Sequence, residues 1–243
     1  MSKKFKGKLC VYCVERISVS SDHVFAREFF LPEDRNNLPK VPACSKCNGN
    51  KSELEHYVTM VLPFGGRHES AKANLREMIP KRLKKNIRLH HLLKNGSTKV
   101  WVNQNKLLIP TIALPFDSDR LKALFELITR GLLWFHWGVY LTQDHIIDVI
   151  MFTRRGEEYF EKNFISLRPR ACVRGNLGKG TIVYYGAQGV DCPEISVWYF
   201  SLFGGVVLCD LKDSLVETSS RIGVMTGPKE IGPEIRANSL VFS

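Results

Sequence analysis

The chain has 243 residues, of which 44% are hydrophobic, 10% aromatic and 24% charged. That apolar content excludes a wholly disordered chain, and the length suits one large domain or two small ones. No run approaches the ~18 apolar residues of a membrane span. The basic start, Met1 to Lys8, leads into a segment too short and mixed for a secretory signal, so a soluble cytoplasmic protein with no membrane partner is expected.

The net charge of +11 is unevenly placed. Residues 1–110 hold 21 Lys and Arg against 9 Asp and Glu, whereas residues 111–243 hold 14 against 15. Such a field attracts a polyanion, and nucleic acid is the commonest one in a cell. A solvated basic face with no partner is the plainer reading.

Taken in chain order, Cys10 and Cys13 form the first of two Cys-x-x-Cys pairs, and Cys44 and Cys47 form the second. Seven cysteines in all, an odd number, argue against a disulfide framework. Four thiolates in two pairs suit a closed tetrahedral zinc site, structural because no position is left open. A thioredoxin-type redox pair is the alternative, but it needs only one such pair, in a βαβ setting. Cys172, Cys192 and Cys209 lie in apolar surroundings and are expected to pack in the core.

Between the pairs, residues 17–30 read as a strand and turn carrying Asp22 and His23, and residues 32–39 as a loop with Asn36 and Asn37. Residues 51–62 have helical spacing, with Asn50 or Ser52 as N-cap. After Gly65-Gly66, helices are expected over residues 69–78 and from Pro80 to Leu89. The latter is a basic amphipathic strip in which Lys81, Arg82, Lys84, Lys85 and Arg88 are candidates for nucleic-acid backbone contact. Asn95-Gly96 marks a turn, with strand-like runs at 99–102 and 106–109. Residues 117–140, with Trp134, Phe135 and Trp137, read as a long buried core helix, and residues 146–152, 181–185 and 195–203 as strands.

Asp22 and Asn48 offer a carboxylate and an amide oxygen, hard ligands suited to Mg²⁺ or Mn²⁺. His23, adjacent and kept off the metal, suits a general base acting on water. The order Cys-x-x-Cys, Asp22-His23, Asn37-Leu38, Cys-x-x-Cys-Asn-x-x-Lys over residues 9–58 resembles the HNH (ββα-metal) endonucleases. The likeness is to their zinc-containing branch, which includes recombination endonuclease VII. It implies a β-hairpin carrying Asp22 and His23, followed by a helix presenting Asn48. Asp22 and Asn48 would bind the catalytic cation, and His23 would deprotonate the attacking water. Asn37, or alternatively Asn36, would orient the His23 ring, and Lys51 would stand near the phosphate. Cleavage would leave 5′-phosphate and 3′-hydroxyl ends. Some members carry a further metal-binding histidine where this chain has Ser52, which favours the Asp/Asn set. The interval from Asn37 to Cys44 is also longer than in many members.

The expected fold is therefore α+β, with a ββα-metal zinc module at 1–64, a basic helical and strand connector at 65–110, and an α+β accessory domain at 111–243. That last region would regulate, dimerise or recognise a protein partner; alternatively it completes the nuclease core. The expected activity is metal-dependent hydrolysis of phosphodiesters, with DNA as the favoured substrate. The rival is a four-cysteine zinc module that binds nucleic acid without cutting it, which leaves Asp22, His23 and Asn48 unexplained. A zinc deaminase does not fit, because Phe25 and Ala43 stand where its His-x-Glu and Pro-Cys-x-x-Cys signature needs Glu and Pro.

Overall fold

The structure is a computed structural model that describes residues 5–104, 107–165, 171–206, 208–209 and 217–242. β1 (Ser20–His23) and β2 (Lys40–Ala43) pair antiparallel, with Asp22 opposite Val41 and His23 opposite Lys40. The connection between them makes two short 3-10 turns, Arg27–Phe29 and Pro32–Asp34, and buries Val24, Phe25, Phe29 and Phe30. This apolar plug holds the hairpin on the rest of the molecule.

α1 (Ser45–Val61) begins directly after β2, not at Lys51 as the hydrophobic spacing suggests. Neither Asn50 nor Ser52 is its cap. The Cys44 Sγ accepts the Cys47 amide at 3.5 Å and caps the helix instead. α2 (Glu69–Glu77) follows, capped by His68, and the expected 80–89 helix divides at Asn86 into α3 (Ile79–Lys85) and α4 (Ile87–Asn95). β3 (Thr98–Gln104) and β4 (Leu107–Ala113) form a separate two-stranded hairpin; Lys106 lies outside the described residues.

α5 (Ser118–Trp137) is capped by the Asp117 carboxylate and stopped by Gly138 at φ 71°. Beyond it, β5 (His145–Thr153), β6 (Ala171–Leu177), β7 (Ile182–Gln188), β8 (Ser196–Leu202) and β10 (Glu217–Pro228) form an antiparallel sheet. Its order is β5-β10-β8-β7-β6, with the short β9 (Leu208–Cys209) paired to β10. α5 covers one face, where Phe125 meets Phe200 at 5.0 Å and Trp137 meets Trp198 at 5.2 Å. α6 (Arg154–Phe160) and α7 (Gly232–Phe242) cover the other, over Ile150, Phe152 and Met225. No helix among the described residues is long and apolar enough to cross a membrane.

One apolar core runs from Cys10, Val24 and Phe25 through Val58 of α1 and Leu132 of α5 to Trp198 and Phe200 of the sheet. It does not divide at residue 110. α5 also packs closely on the residue after His23: a Cβ on Gly131 would stand 3.1 Å from Val24 Cγ2. Tyr57 of α1 also accepts the Asp117 amide at 2.7 Å. Of the cysteines expected in the core, Cys172 is exposed and Cys192 half-buried, while the Cys209 side chain lies outside the described residues.

Candidate functional site

The two Cys-x-x-Cys turns meet. The Sγ atoms of Cys10, Cys13, Cys44 and Cys47 all lie within 4.8 Å of one another. The first turn is closed by Val14 N donating to Cys10 O at 2.9 Å, with Val14 in the left-handed region at φ 55°. The second is the first turn of α1, and Val11 N donates to Pro42 O at 3.1 Å to seat the first turn on β2. Four sulfurs at about 2.3 Å from one Zn²⁺ would be roughly 3.8 Å apart, so the cluster is consistent with a zinc site.

The thiol acidities divide. At Cys44 burial raises the pKa, but hydrogen bonds from Cys47 and Arg16 more than offset it and bring the thiol down to about 6. At Cys47 burial and the neighbouring Cys44 sulfur push the other way, and burial likewise raises Cys10. Four thiolates this close repel one another unless a cation stands among them. Arg16 supplies part of that charge, with its guanidinium 3.7 Å from the Cys47 sulfur.

Next to the cluster lies a buried polar site that joins β1 to α1. Asn48, Lys51 and Glu55 fall at i, i+3 and i+7 and so share one face of α1. Lys51 is fully buried, and its ammonium donates to Asp22 Oδ2 at 3.0 Å, to the His23 carbonyl at 2.7 Å and to Glu55. The Tyr12 hydroxyl donates to the same Asp22 oxygen at 2.6 Å. Burial and the Asp22 charge keep the Tyr12 phenol protonated. One ammonium facing two carboxylates cannot neutralise both, and burial accordingly pushes Glu55 up to about 7 against the pull of Lys51.

His23 is half-buried at the end of β1. Burial first, then Lys40, lowers its pKa, so the imidazole is largely neutral at pH 7. Asn48 is half-buried in the opening turns of α1, directly after the last cysteine. The hairpin thus carries Asp22 and His23 and α1 carries Asn48, and Lys51 ties β1 to α1 through Asp22 and the His23 carbonyl. Asp22 Oδ1 accepts no hydrogen bond among the described residues and remains open to a further partner.

Two residues stand otherwise than the motif implies. Lys51 has three N–H protons and three acceptors, so none is left for a phosphate. In this arrangement it fastens Asp22 and the His23 carbonyl. Asn37 sits exposed in the connection with φ 58°, and among the described residues neither it nor Asn36 is hydrogen-bonded to His23. Conversely, the motif passes over Tyr12 and Glu55. Tyr12 occupies a spacer position inside the first cysteine pair; Glu55 is signalled only by its i,i+4 spacing from Lys51.

On the basic strip, Lys81, Lys84, Lys85 and Arg88 are exposed. Arg82 is drawn inward, donating to the Glu28 carbonyl at 3.0 Å. Among the described residues, the four cysteines are the only group of three or more His, Cys, Asp or Glu placed to hold a metal ion. Compared with family models, curated proteins and solved structures, the chain matches none.

Proposed function

We propose that this protein is a metal-dependent endonuclease of the HNH kind, hydrolysing DNA phosphodiester bonds, with a structural Zn²⁺ on Cys10, Cys13, Cys44 and Cys47. The observation that carries the reading is the placement of Asp22, His23 and Asn48 on a hairpin and helix tied together by the cysteine cluster. Asp22, through its open Oδ1, and Asn48 would hold a Mg²⁺ or Mn²⁺ ion, which supplies charge stabilisation for the phosphoryl and leaving oxygens. His23, neutral at pH 7, takes the proton from the attacking water. Tyr12 and Lys51 fix the other Asp22 oxygen, so the carboxylate presents one defined donor. The exposed cations of α3 and α4 hold backbone phosphates, a contact that salt weakens.

A second reading is a zinc module that binds nucleic acid without cutting. It is favoured by the Lys51 ammonium, which already neutralises Asp22 from within. The two readings separate in a plasmid-nicking assay of the zinc-loaded protein with Mg²⁺ or Mn²⁺ added or omitted. Metal-dependent nicking that His23→Ala abolishes supports the nuclease. DNA binding without nicking, under either metal, selects the second.

A further inference from the structure

The β3–β4 hairpin stands apart from the two other sheets and is built unlike them. Among the described residues it has two strands only, so both outer edges are unpaired there. Its register places Lys99 opposite Ile112 and Trp101 opposite Pro110, with Leu108 further along the same face. Trp101, Leu107 and Leu108 are each 68% exposed and Ile112 is 63% exposed. A two-stranded hairpin alone in water is marginal, and side chains of this size gain nothing there by exposure.

The charge around the hairpin says what covers it. From residue 78 to residue 116 the sequence has eight Lys and Arg and no Asp or Glu. Lys81, Lys84, Lys85, Arg88 and Lys94 are exposed on α3 and α4, and Lys99 is exposed on the hairpin itself. A second copy docked here would set two such fields against each other. A polyanion neutralises them, and the bases of nucleic acid offer flat apolar faces to a tryptophan.

We propose that the hairpin is a DNA-binding arm: Trp101 and its apolar neighbours lie against bases while the cations of α3 and α4 hold the backbone. Apolar side chains reach base faces where stacking is already broken, so the arm favours bulged, branched or single-stranded DNA over intact duplex. This rests on the nuclease reading only in taking DNA as the polyanion.

The test uses the full-length, zinc-loaded protein with no Mg²⁺ or Mn²⁺, so that nothing is cut. Fluorescein-labelled duplex, the same duplex with a bulge, and the single strand are titrated by anisotropy, and tryptophan emission is followed in parallel. Trp101 is the exposed tryptophan of the four; Trp134 and Trp137 are half-buried and Trp198 is buried. The wild type should bind bulged and single-stranded DNA more tightly than duplex, with quenched emission. Trp101→Ala should bind those two probes about tenfold more weakly and lose the quenching. Leu108→Ser provides a second variant should the first misfold. Lys84→Gln should weaken all three probes alike and lower the salt slope by about 1.

Unchanged affinity of both hairpin variants overturns the proposal, as does a wild type that binds none of the probes. So does a wild-type dimer that Trp101→Ala converts to monomer, because a second copy is then the occupant. Hairpin-dependent binding by a protein that never cuts with Mg²⁺ or Mn²⁺ would leave the arm standing and remove the nuclease. Cutting that both hairpin variants retain at wild-type affinity does the reverse.

Discussion

Replacing Lys51 by methionine keeps most of the stem and deletes the ammonium. The Lys51 side chain is 1% exposed, and those of Asp22 and Glu55 are 11% and 16% exposed, so water cannot readily take its place. The variant leaves two carboxylates without their shared cation and the His23 carbonyl without its donor. Removing one partner of a buried pair costs about 3–5 kcal/mol, and methionine fills enough volume to keep any cavity contribution small. Urea denaturation with zinc in excess is therefore expected to show a loss of about 3 kcal/mol at pH 8. The deficit should shrink at pH 5.5, where Glu55, already pushed up to about 7, carries a proton. Adding Glu55→Gln to the variant should restore part of the loss at pH 8 by removing the uncompensated charge. A Lys51→Met protein within about 0.5 kcal/mol of wild type at pH 8 would refute the buried ion-pair account.

In the wild type, the raised Glu55 pKa means that the folded state binds the extra proton between about pH 4.5 and about pH 7. Its contribution is full below that window and lost as pH rises through it, up to about 3 kcal/mol; denaturation midpoints against pH should flatten in Glu55→Gln. His23→Ala should lower cleavage on the order of 100-fold while zinc content holds. Because the His23 pKa is lowered, wild-type cleavage should level off by neutral pH rather than keep climbing to pH 8. Cys44→Ala removes both a zinc ligand and the side-chain acceptor that caps α1, so elemental analysis should show zinc lost and circular dichroism a less helical protein. A fragment ending at residue 110 would leave Val24, Phe25 and Val58 without α5 and should be insoluble or unfolded; a soluble, zinc-bound, nicking fragment would contradict the continuous core.

The cysteine pairs were legible because their spacing alone brings sulfurs onto tight turns. Asp22 and His23 were legible as a strand pair, since β1 follows from local pattern. The start of α1 was hidden because its opening residues, Ser45 to Asn50, have no apolar periodicity and its cap is a thiol. The burial of Lys51 was hidden too, because sequence assigns a lysine to the surface unless its acceptors are known, and two of these come from β1. In the second half, glycine misled. The strand ending at Tyr185 in the sequence reading runs on through Gly186 to Gln188, since a Cβ at Gly186 would stand 2.3 Å from the Trp198 ring across the ladder. β10 has no counterpart among the expected strands; its Gly223 lies under the Phe152 ring, so close approach, not a turn, explains that glycine.

The contact of Gly131 with Val24 sets a limit on how this protein can be recombined. Val24 is bonded to the histidine of the candidate site, and the surface it rests against comes from a helix more than 100 residues later. The motif of residues 9–58 therefore cannot be moved into another protein as a self-sufficient cassette: a chimera would inherit the ligands and lose the wall that sets their depth. The two positions should also change together. A side chain larger than glycine at 131 requires Val24 to give way by a few tenths of an ångström or to become smaller, and across variants selected for function those exchanges should appear as a compensating pair.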